Sequence, residues 1–291
     1  MNKLLTIIIP SYRSKKLILF HLKKLSKNFK IIIIENSYDK SLKEIINKKY
    51  KNVEVYLKKN IGYGRAVNFA SKKVKTKYFF VMNPDTKIYS NTLLELISAA
   101  KKIHKFGAIG PIDIKNKKNY KKNSIIEVKK IIAAAMLIDT KIFNKINGYD
   151  ENFFLYYEDD DYFEKCNSLN LKLYHLTNSL ITHKKIKKMK KTLNLHSTTF
   201  SNIEEKDSTY IVGGWHGYWS KFYFFKKHKG FIKALFICLP NVLINIMQII
   251  PYLFYNPVKA KYKYFKIEGF FCSVFGLPSF KRSKFDKKYL F

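Results

Sequence analysis

The sequence predicts an α/β fold, a mostly parallel sheet with helices on both faces, followed by a helical, apolar C-terminal region. Three observations carry this expectation. Short apolar runs in the first half are continuous rather than alternating, as in strands buried on both faces. Those runs alternate with stretches of helical spacing. Beyond residue 210 the composition turns aromatic and apolar.

Residues 4–9 (LLTIII), ending at Pro10, read as the first buried strand, and a helix follows over 15–28. Residues 31–34 (IIII) form a second strand, with a helix near 40–48 and a strand at 53–57. The pattern continues with a helix at 62–74, a strand at 78–82, a helix at 90–104 and a short strand near 107–109. Residues 115–124 read as a Lys/Asn-rich loop and 131–138 as an apolar strand. A turn at Asn147–Glu151 leads to an aromatic run and four consecutive acids, Glu158–Asp161. Strand and loop over 172–182 end at His183, and 184–209 reads as a mobile polar segment. The expected division is therefore 1–209 and 210–291.

Ligands of parallel sheets sit at the carboxyl ends of the strands. The segments after the first four strands are Pro10-Ser11-Tyr12-Arg13, Glu35-Asn36-Ser37, Asn60-Ile61-Gly62-Tyr63-Gly64-Arg65 and Asn83-Pro84-Asp85. Each is an ordinary turn composition on its own; four polar turns on one sheet edge point to a binding site. Asp85 at a strand end suits a hard divalent ion, because Mg²⁺ and Mn²⁺ take oxygen ligands and commonly share substrate phosphates. His183 offers an imidazole, which suits Mn²⁺ better than Mg²⁺. The run Glu158, Asp159, Asp160 and Asp161 precedes helical spacing at Tyr162, Phe163, Cys166 and Leu169, so it reads as a helix start favoured by the dipole. Such a start can also present a general base to a cleft.

The 291 residues hold 56 Lys+Arg against 21 Asp+Glu, a net charge of +35. Only three basic residues are arginine (Arg13, Arg65, Arg282). Specific nucleic-acid sites depend on Arg forks, so a nucleic-acid partner is not expected and a basic nucleic-acid-binding module is the weakest reading. The apolar fraction of 47% excludes general disorder. Cys166, Cys238 and Cys272 are widely spaced, without disulfide or zinc spacing, which fits a reducing compartment. The N-terminal apolar run reads as a strand rather than a signal peptide.

The C-terminal region begins with an aromatic, basic stretch at 215–230, a composition found at membrane interfaces and also in helices that cover a core. Residues 234–258 carry no charge but are interrupted by Pro240 and Pro251. Asn241, Asn245 and Gln248 recur at helical spacing. A polar stripe opposite a wide apolar face favours a helix lying in the interface of an anionic membrane, with a single span as the alternative.

Five stretches, TIIIPSYRS, IIIIENSYDKS, NIGYGRAVNFA, FVMNPDTKI and NGYDENFFLYYEDDDYFEKCNSLNLKLY, occur in that order over about 1–183. Together they resemble the family 2 glycosyltransferases and, within them, the rhamnosyltransferase-like branch. The resemblance implies a Rossmann-like GT-A fold in 1–209, a nucleotide-diphosphate sugar donor (dTDP-rhamnose in this branch), Mg²⁺ or Mn²⁺, and inversion at the anomeric carbon. It places Pro10, Tyr12, Glu35 and Asn36 beside base and ribose, with Glu35 where many relatives have Asp. Asn60, Gly62, Arg65 and Asn68 match the asparagine-glycine motif near the donor. Asn83 and Asp85 match the ends of the DxD-type metal motif, and His183 matches the histidine metal ligand without its usual Gly-Gly-Ser context. Asp159 matches the catalytic base, Glu158 and Asp161 acceptor-side or supporting acids. The implied acceptor is a cell-surface polysaccharide or lipid-linked glycan, and the implied location is the cytoplasmic face of the plasma membrane. A nucleotide-sugar-binding protein without turnover is the rival reading.

Overall fold

The computed structural model describes residues 3–103, 105–183, 203–283 and 286, with only the backbone over 203–211. The chain divides into two compact units, Met1–Tyr149 with Tyr162–Ser197, and Asp150–Asp161 with Thr198–Phe291.

The first unit is built on β1 (Leu5–Ser11), β2 (Lys30–Glu35), β3 (Val53–Leu57), β4 (Tyr78–Met82), β5 (Thr86–Ile88), β6 (Ala108–Asp113), β7 (Ile125–Val128), β8 (Ala135–Asp139) and β9 (Leu173–His183). Their order is β3-β2-β1-β4-β8-β6-β9-β5, with β7 added on β9. The pairings make β1, β2, β3, β4, β6 and β9 run one way and β5, β7 and β8 the other. The sheet is thus mostly parallel.

The isoleucine runs exist because both faces are covered. Ile7, Ile9, Ile31 and Ile33 enter one apolar cluster with Ile18 and Leu22 of helix α1 (Lys15–Leu25) and Leu96 of α4 (Thr92–Lys102). Ile8, Ile32 and Ile34 enter another with Ala66, Val67 and Ala70 of α3 (Tyr63–Ser71) and Phe143 of α5 (Thr140–Lys145). Alternate residues of one strand therefore serve opposite layers. Helix α2 (Lys40–Lys49) is capped by Asp39, whose carboxylate accepts from Leu42 N at 3.0 Å.

Two departures from the sequence reading have local causes. Residues 131–134 lie outside the eighth strand, which begins at Ala135 where it pairs with Met82. The 115–124 loop contains a 3₁₀ turn, Ile114–Asn119, capped by Asp113.

The division between units falls within α6 (Glu158–Ser168), after Asp161. The second unit then contains three long helices, α7 (Ile203–Lys229), α8 (Phe231–Tyr255) and α9 (Pro257–Val274). Of the polar segment expected at 184–209, residues 184–202 lie outside the described residues, and from Ile203 the chain is helical. Gly269 of α9 lies so close to α7 that a Cβ there would sit 2.2 Å from the Trp215 carbonyl oxygen. Trp215, Trp219 and Phe224 are buried with Phe153, and Phe222 with Phe270. Four of the aromatics of 215–225 are accordingly core residues, and Tyr218, Tyr223 and Phe225 are half-buried against them. Helix α8 runs through Pro240 and Pro251. Its Asn245 faces inward, 3% exposed, and donates from Nδ2 to Tyr218 Oη at 2.8 Å. The inward face of α8 is thus Ala234, Cys238, Val242 and Asn245. Of the polar stripe expected from the sequence, Asn245 alone is buried, Gln248 is half-buried and Asn241 is exposed, and a wide apolar face is left outside.

Candidate active site

In the sheet unit, strand register brings the predicted loops together. Ser11 at the end of β1 pairs with Glu35 at the end of β2. Ser11 Oγ donates to Glu35 Oε2 at 2.5 Å, and Ser37 donates to Oε1 from N at 2.8 Å and also from Oγ. Burial raises the Glu35 pKa, and these hydrogen bonds oppose the rise. Both Glu35 oxygens are occupied, so this carboxyl clamps two loops rather than reaching outward. Pro10 is buried within β1 and Tyr12 follows it, half-buried. Arg13 and Tyr38 carry positive φ (51° and 56°), an uncommon backbone state for such side chains that concentrates at functional loops.

Asn36 links these loops to the third. Its Nδ2 donates to Gly62 O at 3.2 Å, while its buried Oδ1 has no partner. Gly62 starts α3 at φ 88°, and its N–H donates to Asn60 Oδ1 at 3.2 Å. Only glycine adopts that φ without strain. Arg65 projects from the same helix and is exposed. Asn68 points elsewhere: its Nδ2 donates to Tyr149 O at 2.9 Å and its Oδ1 accepts from Tyr149 N at 3.0 Å. Its amide holds the Asn-Gly-Tyr turn, where a Cβ on Gly148 would lie 2.5 Å from Asn68 Oδ1.

The Asn83–Asp85 loop follows β4. Asn83 N donates to Ala134 O at 2.9 Å, and Asn83 Oδ1 is buried without a partner. Register pairs Thr86 with His183, which sets His183 Nε2 3.4 Å from Asp85 Oδ1. The Asp85 carboxylate raises the His183 pKa. Two further residues, not anticipated from the sequence, fix this pair. His21 donates from Nε2 to Pro84 O at 2.8 Å, and Asp113 Oδ2 accepts from His183 N at 3.3 Å. His21 lies mid-helix and Asp113 at the end of β6, and neither sits in a recognisable motif.

The donor set fits a divalent ion held in part by a ligand. One carboxylate and one imidazole converge, and the partnerless oxygen of Asn83 belongs to the same loop. No group of three or more His, Cys, Asp or Glu side chains suited to a metal occurs among the described residues. Asp85 and His183 would therefore supply only part of such an ion's coordination, the rest coming from phosphate or water.

The acidic helix start belongs to the second unit as far as Asp161. Tyr156 and Tyr157 just before it both carry positive φ, 69° and 66°. Non-glycine residues in that region cost on the order of 1–3 kcal/mol each, and they cluster at active sites. The four acids then divide. Glu158 and Asp161, three apart, are buried, each with one carboxylate oxygen lacking a partner; Asp159 and Asp160 are half-buried. Burial raises the Glu158 pKa, and the neighbouring Asp159 charge adds to the rise. Asp161 Oδ1 accepts from Lys227 Nζ at 2.7 Å and from His228 Nε2 at 2.8 Å. Lys227 also reaches Asp150 Oδ2 at 2.7 Å. Lys227 and His228 lie in a basic stretch where nothing local in the sequence marks them as partners of Asp161.

The sequence matches the profile of Glycosyl transferase family 2 over residues 6–175, more than half of the chain. The chain belongs to that family. Its fold is GT-A, and solved structures agree. GalNAc-T7 with UDP, GalNAc and Mn²⁺ is 12% identical with a TM-score of 0.54, covering 73% of this chain and 51% of its own. This family 2 chain therefore spans about half the length of that protein. A mannosyltransferase from Pyrobaculum calidifontis, PcManGT in complex with GDP-Man and Mn²⁺, is 10% identical with a TM-score of 0.54, covering 94% of this chain and 87% of its own. S. aureus TarS 1-349 in complex with UDP is 14% identical with a TM-score of 0.51, covering 94% and 92%. At such identities the likeness is one of fold. A search of curated proteins by sequence found no match.

Proposed function

We propose that this family 2 glycosyltransferase is a metal-dependent, inverting enzyme that moves a sugar from a nucleotide-diphosphate donor to a cell-surface polysaccharide or lipid-linked glycan. The observation that carries this reading is the Asp85–His183 pair, 3.4 Å apart after β4, on the sheet edge that the loops after the parallel strands β1, β2 and β3 also leave. Within the family, Asn83 at the first position of the metal motif favours the rhamnosyltransferase-like branch, and dTDP-rhamnose is the leading donor. The named complexes of GalNAc-T7 and PcManGT hold nucleotide or nucleotide-sugar with Mn²⁺, which supports Mn²⁺ or Mg²⁺ here.

Asp85 and His183 would hold the divalent ion, which when bound supplies positive charge against the diphosphate. Tyr12 and Asn36 border the nucleoside, Asn60, Gly62 and Arg65 the donor. Asp159, half-buried in the first turn of α6, takes the proton of the acceptor hydroxyl as that oxygen attacks the anomeric carbon. Attack from the face opposite the departing diphosphate inverts the configuration. Glu158 and Asp161, buried on either side, fix the turn that presents Asp159.

We place the enzyme on the cytoplasmic face of the plasma membrane, resting on α8. This helix is 25 residues long with a mean hydropathy of 1.9 in its most apolar window, of which 22% is buried. Peripheral attachment is favoured over a single span because Pro240 and Pro251 lie within the helix and one side of it, with Asn245, packs on α7. A carbonate wash of membranes separates the two, since a spanning protein stays behind.

A nucleotide-release screen over dTDP-, UDP- and GDP-sugars, with Mg²⁺ or Mn²⁺ and with chelator, tests the activity. Metal-dependent release from one donor class supports the reading. Donor binding without release from any of them makes the chain a nucleotide-sugar-binding protein instead.

A further inference from the structure

We propose that the elbow between α7 and α8 is the phosphate site of a lipid-phosphate-linked acceptor, so the acceptor enters held by its lipid carrier rather than by sugar alone. The inference rests on the glycosyltransferase reading and selects among its acceptors.

At the elbow, Gly230 turns the chain with φ 84° and α8 starts without a side-chain cap. An open groove of about 640 Å³ lies there, lined by His228, Lys229, Lys233, Phe236 and Ile237. Its charges are unevenly committed. Lys227 just behind it is held by Asp150 and Asp161, both at 2.7 Å. Lys229 and Lys233 pair with no carboxylate among the described residues. Two such ammonium groups, beside the positive end of a helix dipole, suit a phosphate or diphosphate.

The remaining wall is apolar and leads somewhere. From the groove, Phe236, Leu239, Leu243, Met247, Ile250 and Phe254 follow at spacings of three or four, so they share one face of α8. All are exposed, Phe236 by 76% and Phe254 by 83%. That stripe runs over 19 residues, about 27 Å of helix, the scale of an isoprenoid or acyl chain. The groove lining has no carboxamide, hydroxyl or carboxylate to read sugar hydroxyls. Its His228 bonds Asp161, two residues beyond the proposed base Asp159. This link, within one unit, favours the acceptor's phosphate over a bulk phospholipid headgroup.

Farnesyl diphosphate in detergent, with EDTA present to disable metal-bridged diphosphate binding at the donor site, is the probe. Calorimetry on the full chain should show saturable binding, weakened at least about tenfold by Lys229→Glu with Lys233→Glu and restored by Lys→Arg at both positions. Farnesol should not bind, and inorganic diphosphate should bind more weakly than the farnesyl compound. No binding, or equal binding by the Glu variant, overturns the proposal. So does a Glu variant that keeps farnesyl diphosphate but no longer floats with phosphatidylglycerol vesicles, because the groove is then a headgroup site. Donor-only nucleotide release is measured on the same preparations. If release persists while farnesyl diphosphate fails to bind, this inference fails alone; if release is absent while the probe binds, the enzymatic reading fails alone.

Discussion

In the sheet unit, Ile7, Ile9, Ile31 and Ile33 are fully buried, as are Ile8, Ile32 and Ile34 on the other face. In the helical unit, Phe236, Met247, Ile250 and Phe254 stand 66–83% exposed along one helix. Both regions are comparably apolar in sequence, so hydrophobicity alone does not decide which side chains a fold encloses. The sheet is sandwiched, and every apolar residue finds a layer. Helix α8 buries only one narrow side, Ala234, Cys238, Val242 and Asn245. An apolar strip of that length seldom faces water in a soluble protein and marks an interaction surface. The difference sets a sheet enclosed on both faces against a helix with one apolar face uncovered, the face on which the proposed attachment rests.

The largest expected effect breaks the chemical half. Asp85→Ala should cut metal-stimulated transfer by about 10²-fold or more and raise the metal concentration required, read by titrating Mn²⁺ against nucleotide release. An unchanged titration curve would count against Asp85 as a ligand. Next comes the attachment half. Burying a large apolar side chain contributes roughly 1.5–3 kcal/mol, so Phe236→Ser with Met247→Ser and Phe254→Ser should abolish flotation on anionic vesicles. Donor-only nucleotide release should survive in that variant; retained flotation contradicts the outward-face account.

Smaller effects sharpen the local geometry. Gly148→Ala should lower stability by about 1–3 kcal/mol, because φ is +50° and the new Cβ meets Asn68 and Phe143. Thermal melts with the midpoint unchanged would exclude that packing. Glu158→Gln should have the smallest effect, and one that depends on pH. The folded-state pKa of Glu158 is raised by burial. The folded chain thus binds this proton more tightly than the unfolded chain, and the group's contribution favours folding at low pH and is lost as pH rises through the folded pKa. The variant's gain in Tm should be largest above pH 8 and shrink toward pH 5. A gain independent of pH would show that the carboxyl is not ionising there.

Much of this was legible from the residues, for physical reasons. Continuous isoleucine runs announce strands covered on two faces, and the polar turns after them fall on one sheet edge, where the candidate site lies. The strands β5 and β7 were not legible, since three or four residues such as Thr86–Ile88 carry too little periodicity and are set by pairing with β9. In the candidate site, Asp85 and His183 stood out by motif, whereas the clamp role of Glu35 depends on Ser11 and Ser37, which look like plain turn residues. The division of the acidic run also escaped, because Asp161 is turned inward by Lys227 and His228, 66 and 67 positions away. The polar stripe on α8 was visible, but only Asn245 is turned inward, onto Tyr218 of another helix, while Asn241 is exposed.

The central claim is that Asp159 is the base of an inverting sugar transfer. The most direct measurement compares wild type with Asp159→Asn in a transfer assay beside donor binding by calorimetry, using the donor that the nucleotide screen identifies. The account predicts that transfer falls by at least about 10²-fold while donor affinity stays within about twofold. Near-normal turnover by Asp159→Asn would contradict it.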